Sequence, residues 1–323
     1  MGLPESSVCI IMNSWRKATR HQYRSYLDKW NIFCVKTNSD PLDPSPVVCI
    51  KFLTELYDSG VGYSAINTAR SALSSILTLP SGLPIGQHPI IKRFLRGVYN
   101  TRPSLPKYHQ TWDVGTVLVY LDRLGETSEL SLKDLTLKLN MLLALVSGQR
   151  AQSLHLLKLK NMSESNNKVL FVLTDLVKQS RPGSHLKPIE LERFENERLC
   201  VVSCLKSYLE RTSAYRTDSV HDQLLLSHLR PHKPVTRETV SRWLKNTLAM
   251  AGIDITVFSG HSTRAAATSA ASSQGTPIQT IMAAAGLSSE NVFTKLYCKP
   301  VKHDGSFGSA VLSSMSSTSE ISE

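Results

Sequence analysis

A histidine and an arginine in the C-terminal part of the sequence are spaced to act on the same chemical group. His261-Ser262-Thr263-Arg264 follows Gly260 and opens a predicted helix. Residues three apart in a helix lie on one face, one turn from each other. An imidazole placed there can hydrogen-bond to a phosphate or exchange a proton with it, while the guanidinium neutralises its charge. The pair therefore indicates a site for a phosphate-bearing group.

Other segments of the chain accompany this pair in a fixed order. They are Ser147-Gly-Gln-Arg150-Ala-Gln-Ser-Leu154, a predicted β-hairpin with Lys178, Ala285-Gly286-Leu287, and Phe293-Thr-Lys-Leu-Tyr297. With His261 and Arg264, these segments resemble the tyrosine recombinase (phage integrase) family, most closely the recombinases of eukaryotic mobile elements of the DIRS and Crypton kind. The resemblance covers nearly the whole chain. The order Arg, Lys on a hairpin, His-x-x-Arg, Tyr is much more specific than any single motif.

The resemblance implies a role for each of five residues. A pair of arginines clamps the scissile phosphate, a histidine acts as an acid, base or hydrogen-bonding group, a lysine is the general acid and a tyrosine is the nucleophile: Arg150 and Arg264, His261, Lys178, and Tyr297. Lys187, across the predicted turn, is a weaker candidate for the lysine role.

The physical chemistry of phosphodiesters agrees with these roles. Two guanidinium groups can donate paired N–H bonds to the non-bridging oxygens of a phosphate and stay charged throughout. A tyrosine that attacks phosphorus leaves a phosphotyrosine bond, which conserves bond energy for rejoining the strand. We therefore expect no cofactor, neither a metal nor a nucleotide.

The resemblance also implies partners and a setting. It implies double-stranded DNA as the substrate, self-association to a dimer or tetramer on DNA, and a reaction through a 3′-phosphotyrosine in the integration of a mobile element. The start of the chain lacks a basic region followed by an apolar stretch, and no apolar run is long enough to span a bilayer. We expect an intracellular, nuclear protein with no membrane partner.

Two positions depart from the pattern of the family. The family usually has His or Trp after the glycine that precedes the tyrosine segment, and here Leu287 follows Gly286. The family also often has an acidic residue three positions after the first arginine, where this chain has Ser153. Leucine cannot donate a hydrogen bond to a phosphate. An alternative function is therefore a recombinase-derived DNA-binding protein with weak or lost catalysis.

The charge of the chain agrees with an acidic partner. The 323 residues include 37 Lys and Arg against 26 Asp and Glu, a formal net charge of +11. Residues 1–105 hold 12 of these basic residues and 6 of the acidic ones, so this third of the chain is about twice as basic per residue as the rest. Nucleic acid is the commonest acidic partner of such proteins. Composition alone also allows a basic helical adaptor for an acidic protein.

Apolar periodicity predicts a mainly α fold with a small antiparallel β-sheet. The predicted helices are Ser14–Lys36, Val47–Asp58, Ser64–Leu79, Ile90–Tyr99, a helix from Asp113 to Leu124, Leu130–Val146, Leu199–Arg211, Thr236–Ala251, His261–Ser273 and Pro277–Ala285. The predicted strands are Asn167–Val177 and Leu186–Leu191. The basic residues Arg16, Lys17, Arg20 and Arg24 in the first half of the first helix oppose its dipole and suggest a partner for their charge.

The proline-containing segment 101–110 is the best linker. We expect residues 1–105 to form a helical core-binding (SAM-like) DNA-binding domain, residues 106–305 a tyrosine recombinase catalytic domain, and residues 306–323 a Ser-rich tail. The domain names come from the resemblance.

Several other kinds of site are not indicated. The sequence has no G-x-x-x-x-G-K phosphate loop, no H-E-x-x-H and no G-x-S-x-G. Cys200 and Cys204, with His228 and His232, are the nearest set to a zinc site, but the cysteines lie on an apolar helical face that indicates core packing. Gly60-x-Gly62-x-x-Ala65 follows a helix rather than a strand, which favours a helix–helix connector over a dinucleotide site.

Overall fold

The computed structural model describes residues 4–105, 108–178, 180–183, 185–216 and 222–300. The chain divides into two compact units, residues 1–106 and 107–323, which are called here the N-terminal and C-terminal units. The division falls within the segment whose prolines predict a linker.

The N-terminal unit is helical. Its helices are α1 Glu5–Met12, α2 Lys17–Thr37, α3 Pro46–Asp58, α4 Tyr63–Ser74 and α5 Pro89–Thr101. An aromatic cluster forms the centre of its core, in which the Trp30 ring lies 5.8 Å from that of Phe33 and 5.3 Å from that of Phe52. The Trp30 indole N–H donates to the Pro41 carbonyl at 3.0 Å, so this buried polar group is satisfied. The connector reading of Gly60 to Gly62 is confirmed, because the segment joins α3 to α4.

The start of α2 differs from its prediction, and α1 was not predicted. The helix begins at Lys17, and Arg20 uses its guanidinium within the chain: Nη2 donates to the carbonyl of Met12 at 2.7 Å and to Asn13 Oδ1 at 2.9 Å. Arg24 lies 3.9 Å from the Asp28 carboxylate. Arg20 and Arg24 therefore have partners within the chain, so their charge does not by itself call for an external partner.

The predicted helix Ser64–Leu79 is also shorter in the structure. Helix α4 ends at Ser74, and the chain then turns back at Gly82, which has a positive φ. After the turn the Ile85 amide donates to the Leu77 carbonyl at 3.0 Å. Across the turn, the Leu79 amide donates to the Leu83 carbonyl at 2.7 Å.

The C-terminal unit is built around one central helix. Its helices are α6 Val114–Arg123, α7 Leu132–Ser147, α8 Ala151–His155, α9 Val201–Thr212, α10 Arg237–Met250, α11 Ser262–Ser273, α12 Ile278–Ala285 and α13 Glu290–Leu296. Helix α7 is buried on nearly all sides and packs against α9, α10 and α11. Asp113 caps α6 as predicted, since its carboxylate accepts a bond from the Gly115 amide. The buried Asn140 amide donates to the Val240 carbonyl at 3.2 Å and ties α7 to α10.

A three-stranded antiparallel sheet in the order β1-β2-β3 covers one side of this core. The strands are β1 Met162–Glu164, β2 Lys168–Phe171 and β3 Ile189–Glu192. Val169 pairs with Leu191, and Phe171 pairs with Ile189, so that alternate side chains are buried. The fold class, mainly α with a small antiparallel sheet, is confirmed.

The predicted strand Asn167–Val177 was too long, and β1 was missed. After Phe171 the chain bonds to segment 158–161 instead of β3: Val172 N–H donates to the Asn161 carbonyl at 3.0 Å, and the Asp175 carboxylate lies 2.6 Å from Lys158 Nζ. The second strand, predicted as Leu186–Leu191, therefore begins only at Ile189.

The cysteine pair lies where the sequence indicated. Cys200 and Cys204 are buried in the core of the C-terminal unit. In the described ranges no three His, Cys, Asp or Glu side chains gather as metal ligands. None of the helices described has the length and apolar content needed to cross a bilayer. The predicted Ser-rich tail lies outside the described residues.

A buried hydrogen bond secures the start of α11 and can be tested by a double-mutant cycle. The Trp112 indole N–H donates to Ser262 Oγ at 2.9 Å, and Ser262 Oγ donates to the Ser259 carbonyl at 2.6 Å. In chemical denaturation, Trp112→Phe and Ser262→Ala should show a coupling energy of about 1 kcal/mol, the net value of a neutral hydrogen bond. Pairing Trp112→Phe with Ser273→Ala, at the far end of α11, should give additive effects. Additivity in both cycles would contradict the coupling.

Candidate active site

The first arginine of the predicted site stands at a tight turn between α7 and α8. Gly148 ends α7 in the left-handed conformation, with φ +58°, and a Cβ there would also lie 3.2 Å from that of Ala285. The next residue, Gln149, is buried, and its side-chain amide donates to the Ala284 carbonyl at 2.6 Å. These contacts fix the backbone that presents Arg150, the N-cap residue of α8.

The second arginine lies on α11 and is almost completely buried. Arg264 is 1% exposed, and its Nη1 donates to the Gly148 carbonyl at 2.9 Å. Its Nε and Nη2 are buried without a hydrogen-bond partner, as is Nη1 of Arg150. Burial, and then the charge of Arg150, lower the pKa of Arg264 to about 10. Unpaired donors in a buried site cost free energy, which an anion could recover.

The predicted tyrosine lies against both arginines. The Tyr297 hydroxyl accepts a bond from Arg150 Nη2 at 3.3 Å, and the Arg264 guanidinium carbon lies 4.9 Å from the centre of the Tyr297 ring. The backbone carbonyl of Tyr297 accepts bonds from Ser269 Oγ at 2.7 Å and Thr268 Oγ1 at 3.2 Å. Helix α11 therefore supplies both Arg264 and the groups that hold the tyrosine.

The predicted histidine stands at the first turn of α11. His261 precedes α11 as its N-cap residue, directly after Gly260, where a Cβ would lie 2.6 Å from the Ser241 carbonyl oxygen. Its side chain is open to solvent on one side. Desolvation on the other side lowers the pKa of the imidazole, and the positive charges of Arg150, Arg264 and Lys178 lower it further. A lowered pKa favours the neutral imidazole, which can accept or donate a proton.

The predicted lysine projects from the long connection between β2 and β3. Val177 and Ser180 form a turn on either side of it: Ser180 N–H donates to the Val177 carbonyl at 2.9 Å, and Val177 N–H donates to Ser180 Oγ at 3.0 Å. Both of these residues are buried, while Lys178 is exposed. The turn thus restrains the backbone of Lys178, and the exposed side chain lines the first of two cavities at the site.

Four of the five predicted residues line one basic cavity of about 580 Å³. They are Arg150, Lys178, His261 and Arg264. Helix α10 forms the opposite wall with a further set of charged side chains: Arg237, Glu238, Arg242 and Lys245. The cavity therefore has six Lys and Arg side chains and one carboxylate, which suits a polyanion.

A second cavity, of about 460 Å³, shares Arg150 and Lys178 with the first. It also contains Lys187, together with Arg181 and His185. Lys187 is not among the residues that line the first cavity. The geometry therefore brings Lys178, rather than Lys187, to the cavity that holds Arg264 and His261.

The sequence reasoning missed the residues of α10, Thr268 and Ser269. On α10 a signal was present, because Arg237, Ser241 and Lys245 recur every four residues and share one face. Thr268 and Ser269 gave no signal, since short hydroxyl side chains in an Ala-rich helix do not show which backbone group they will meet.

Comparison with known proteins identifies the family of the chain. The profile of the phage integrase family matches residues 120–303, more than half of the chain. The chain belongs to this family of tyrosine recombinases. A search of curated proteins finds no match.

Solved structures of recombinases share the fold. XerH site-specific recombinase bound to a palindromic difH substrate superposes with a TM-score of 0.60 at 14% identity, over 84% of this chain and 74% of that one. A lambda integrase dimer bound to a core site gives 0.55 at 15% identity, over 90% and 92%. A transposon integrase with circular intermediate DNA gives 0.52 at 14%, over 85% and 87%.

The departures from the pattern of the family have structural counterparts. Leu287 is 9% exposed and packs in an apolar cluster with Phe293 and Tyr297, and it also lines the second cavity. Its side chain packs against the tyrosine segment but cannot donate a hydrogen bond. Ser153 is fully buried one turn after Arg150. Because serine is uncharged, this position adds no negative charge beside Arg150.

The electrostatics of this site can be tested through the titration of His261. In NMR titrations, the midpoint of His261 should lie below 6.5, the ordinary value for histidine. Arg150→Gln should raise that midpoint, since it removes a positive charge that disfavours the imidazolium. Arg237→Gln on the opposite wall is the control and should move it less. A wild-type midpoint at or above 6.5 would contradict the proposed environment.

Proposed function

We propose that this recombinase cuts and rejoins double-stranded DNA through a covalent 3′-phosphotyrosine at Tyr297. The attack forms the bond between the phenolic oxygen and phosphorus and breaks the bond from phosphorus to the 5′-oxygen. One phosphate ester replaces another, so the strand can be rejoined by the reverse attack of a 5′-hydroxyl.

The observation that carries the proposal is the meeting of Tyr297 with two arginines that still have free donors. Arg150 donates to the Tyr297 hydroxyl through one terminal nitrogen, and its other terminal nitrogen is buried and unpaired, as are two nitrogens of Arg264. A phosphate beside the phenol would give these donors oxygen partners. The same contacts would stabilise the charge that gathers on the non-bridging oxygens during attack.

Two other side chains would manage protons. His261, whose pKa is lowered, would exchange a proton with the phosphate or with the attacking phenol. Lys178, which reaches the same cavity from a fixed turn, would give a proton to the leaving 5′-oxygen. Lys187 remains the weaker candidate for that step because it lines only the second cavity.

The N-terminal unit would hold the DNA backbone as a core-binding domain. Exposed basic side chains follow one another on α5, namely Lys92, Arg93 and Arg96. In the C-terminal unit, Arg237, Arg242 and Lys245 on α10 would contact phosphates on either side of the scissile one. The lambda integrase structures contain a dimer on a core site and a tetramer on a Holliday junction, which supports self-association on DNA.

We also propose that the reaction serves the integration of a mobile element in the nucleus. The transposon integrase among the structural neighbours agrees with an element of this kind. The DIRS or Crypton character of that element remains a proposal based on the motifs of the sequence.

A covalent-capture experiment tests the nucleophile without knowledge of the target site. Purified protein is incubated with a library of randomised duplexes that carry a nick, so that a short strand is lost after cleavage and rejoining is prevented. Wild-type protein should give an adduct that survives denaturation, with the nucleotide on the peptide that contains Tyr297 by mass spectrometry. Tyr297→Phe should give none, because it lacks the attacking oxygen.

Tyr215→Phe is the matched control, since the ring of this tyrosine stacks on that of His232, whereas Tyr297 contacts Arg150 and Arg264. It should form the adduct at the wild-type rate. An adduct formed by Tyr297→Phe, or none formed by the wild type, would contradict the mechanism. Sequencing of the captured strands then gives the target site.

A second candidate function, DNA binding with weak or lost catalysis, is favoured by Leu287 alone. The residue lines the second cavity beside Arg150 and supplies no donor to a phosphate. Under this alternative the clamp binds DNA, and the affinity falls with salt according to the number of phosphate contacts.

Leu287→His tests how much catalysis this position has lost. An imidazole there would add a donor to the phosphate, and the loss of one such donor elsewhere costs about 10²–10³ in rate. We expect Leu287→His to speed adduct formation at saturating DNA by about tenfold, less than that range because burial of the ring has a cost of its own. Leu287→Phe, which adds bulk without a donor, should give no gain. Equal rates for both variants and wild type would show that no donor is missing.

A further inference from the structure

The segment that carries the tyrosine is short and needs support from outside itself. Helix α13 spans only Glu290–Leu296, and residues 297–300 after it have no regular secondary structure. Helices of this length have little stability of their own in water. The position of the Tyr297 phenol therefore depends on what holds the chain on either side of it.

One support comes from α11. Ser269 Oγ donates to the Tyr297 carbonyl at 2.7 Å and accepts a bond from the Lys299 amide at 2.9 Å. A single buried hydroxyl thus bridges two backbone groups of the segment and fixes its path over residues 297–299. This contact restrains the backbone, but it does not engage the side chain of Lys299.

The second support comes from the first residues of the C-terminal unit. Lys299 Nζ donates to the Tyr108 carbonyl at 2.6 Å and lies 4.1 Å from the centre of the Tyr108 ring. The Tyr108 ring in turn packs edge-on against Phe258, with the ring centres 5.3 Å apart. Beside these contacts, the Thr111 amide donates to the Pro300 carbonyl at 2.9 Å.

These contacts make Lys299 a cross-link between two stretches of chain far apart in sequence. Its ammonium has a hydrogen-bond acceptor and an aromatic face at the same time, and both partners stabilise a partly desolvated lysine. Tyr108, whose ring contacts this ammonium, is the second residue of the C-terminal unit. The tyrosine segment is thereby anchored at residues 299 and 300, directly after the bridge made by Ser269.

We propose that Lys299 is a positioning residue for Tyr297, and that Tyr108 is its anchor. The ammonium holds the segment after the tyrosine so that the phenol stays within reach of Arg150 and the phosphate. This role rests on the proposed function of Tyr297 as nucleophile. Lys299 itself does not touch the reacting atoms, so the effect of its loss should be on rate rather than on DNA affinity.

The kinetic test uses the duplex captured from the library. Lys299→Met keeps an unbranched side chain of similar length but removes the charge and the donors. At saturating DNA it should slow adduct formation by about 10- to 100-fold, the loss expected when a reacting group is misplaced by about 1 Å. The dissociation constant for DNA should be unchanged, and Lys299→Arg, which keeps the charge and donors, should recover much of the rate.

Lys295→Met is the matched control. Lys295 is exposed and lies four residues earlier in the same segment. The Lys295→Met variant therefore loses the same charge as Lys299→Met. It should leave the rate of adduct formation unchanged. If Lys299→Met reacts as fast as Lys295→Met, or if it weakens DNA binding and leaves the rate at saturating DNA intact, the proposal is wrong.

A readout that does not need activity separates this proposal from the proposed function. In hydrogen exchange followed by mass spectrometry, peptides that cover residues 290–300 should exchange about tenfold faster in Lys299→Met than in Lys295→Met. Peptides from α7 should show equal exchange in both variants. Equal exchange over 290–300 overturns the anchoring. Faster exchange there, combined with no adduct from wild-type protein, retains the anchoring and rejects Tyr297 as the nucleophile.

Discussion

Two guanidinium groups and a phenol share one largely buried space, and this arrangement governs the rest of the C-terminal unit. Burial, and then the repulsion between the charges of Arg150 and Arg264, lowers the pKa of Arg264 to about 10. Three of their nitrogens are also buried without partners, at a cost of about 1–3 kcal/mol for each unsatisfied group. An anion that enters the site would give these donors oxygen partners and would offset the repulsion between the two guanidinium groups.

The surrounding fold has to hold these groups in place against that cost. Helix α7, buried on nearly all sides, is followed by Gly148, whose carbonyl accepts a hydrogen bond from Arg264 Nη1. Gln149 then ties the same turn to α12 through the Ala284 carbonyl. Burial of α7 and packing of its neighbours supply the stability, because apolar area removed from water is the main favourable contribution to folding. This stability offsets the cost of holding the charged groups of the site in place.

The sequence was informative where a residue type has few alternatives. The order and spacing of five residues along the chain predicted the family, and the structure brings these residues together: Arg150, Lys178, His261, Arg264 and Tyr297. Their individual roles stay predictions. Periodicity also placed most helices correctly, because one apolar face must meet the core.

Other features depended on tertiary contacts that periodicity does not encode. The apolar run Val169–Val177 reads as one long strand, yet the chain leaves the sheet after Phe171, where partners in segment 158–161 replace those of β3. The short helix α1 has no buried face, so no apolar pattern marked it. Lys299 gave no signal either, since its importance lies in a carbonyl and a ring 191 residues away.

The turn that carries Lys178 has a consequence for how this protein can change over evolutionary time. Most active-site residues on loops lose their position when the loop gains or loses residues. Here the reciprocal bonds between Val177 and Ser180 fix the lysine locally, on the near side of the connection to β3. A change in the length of the connection beyond Ser180 leaves these two bonds in place. The position of Lys178 therefore depends on its immediate neighbours in sequence.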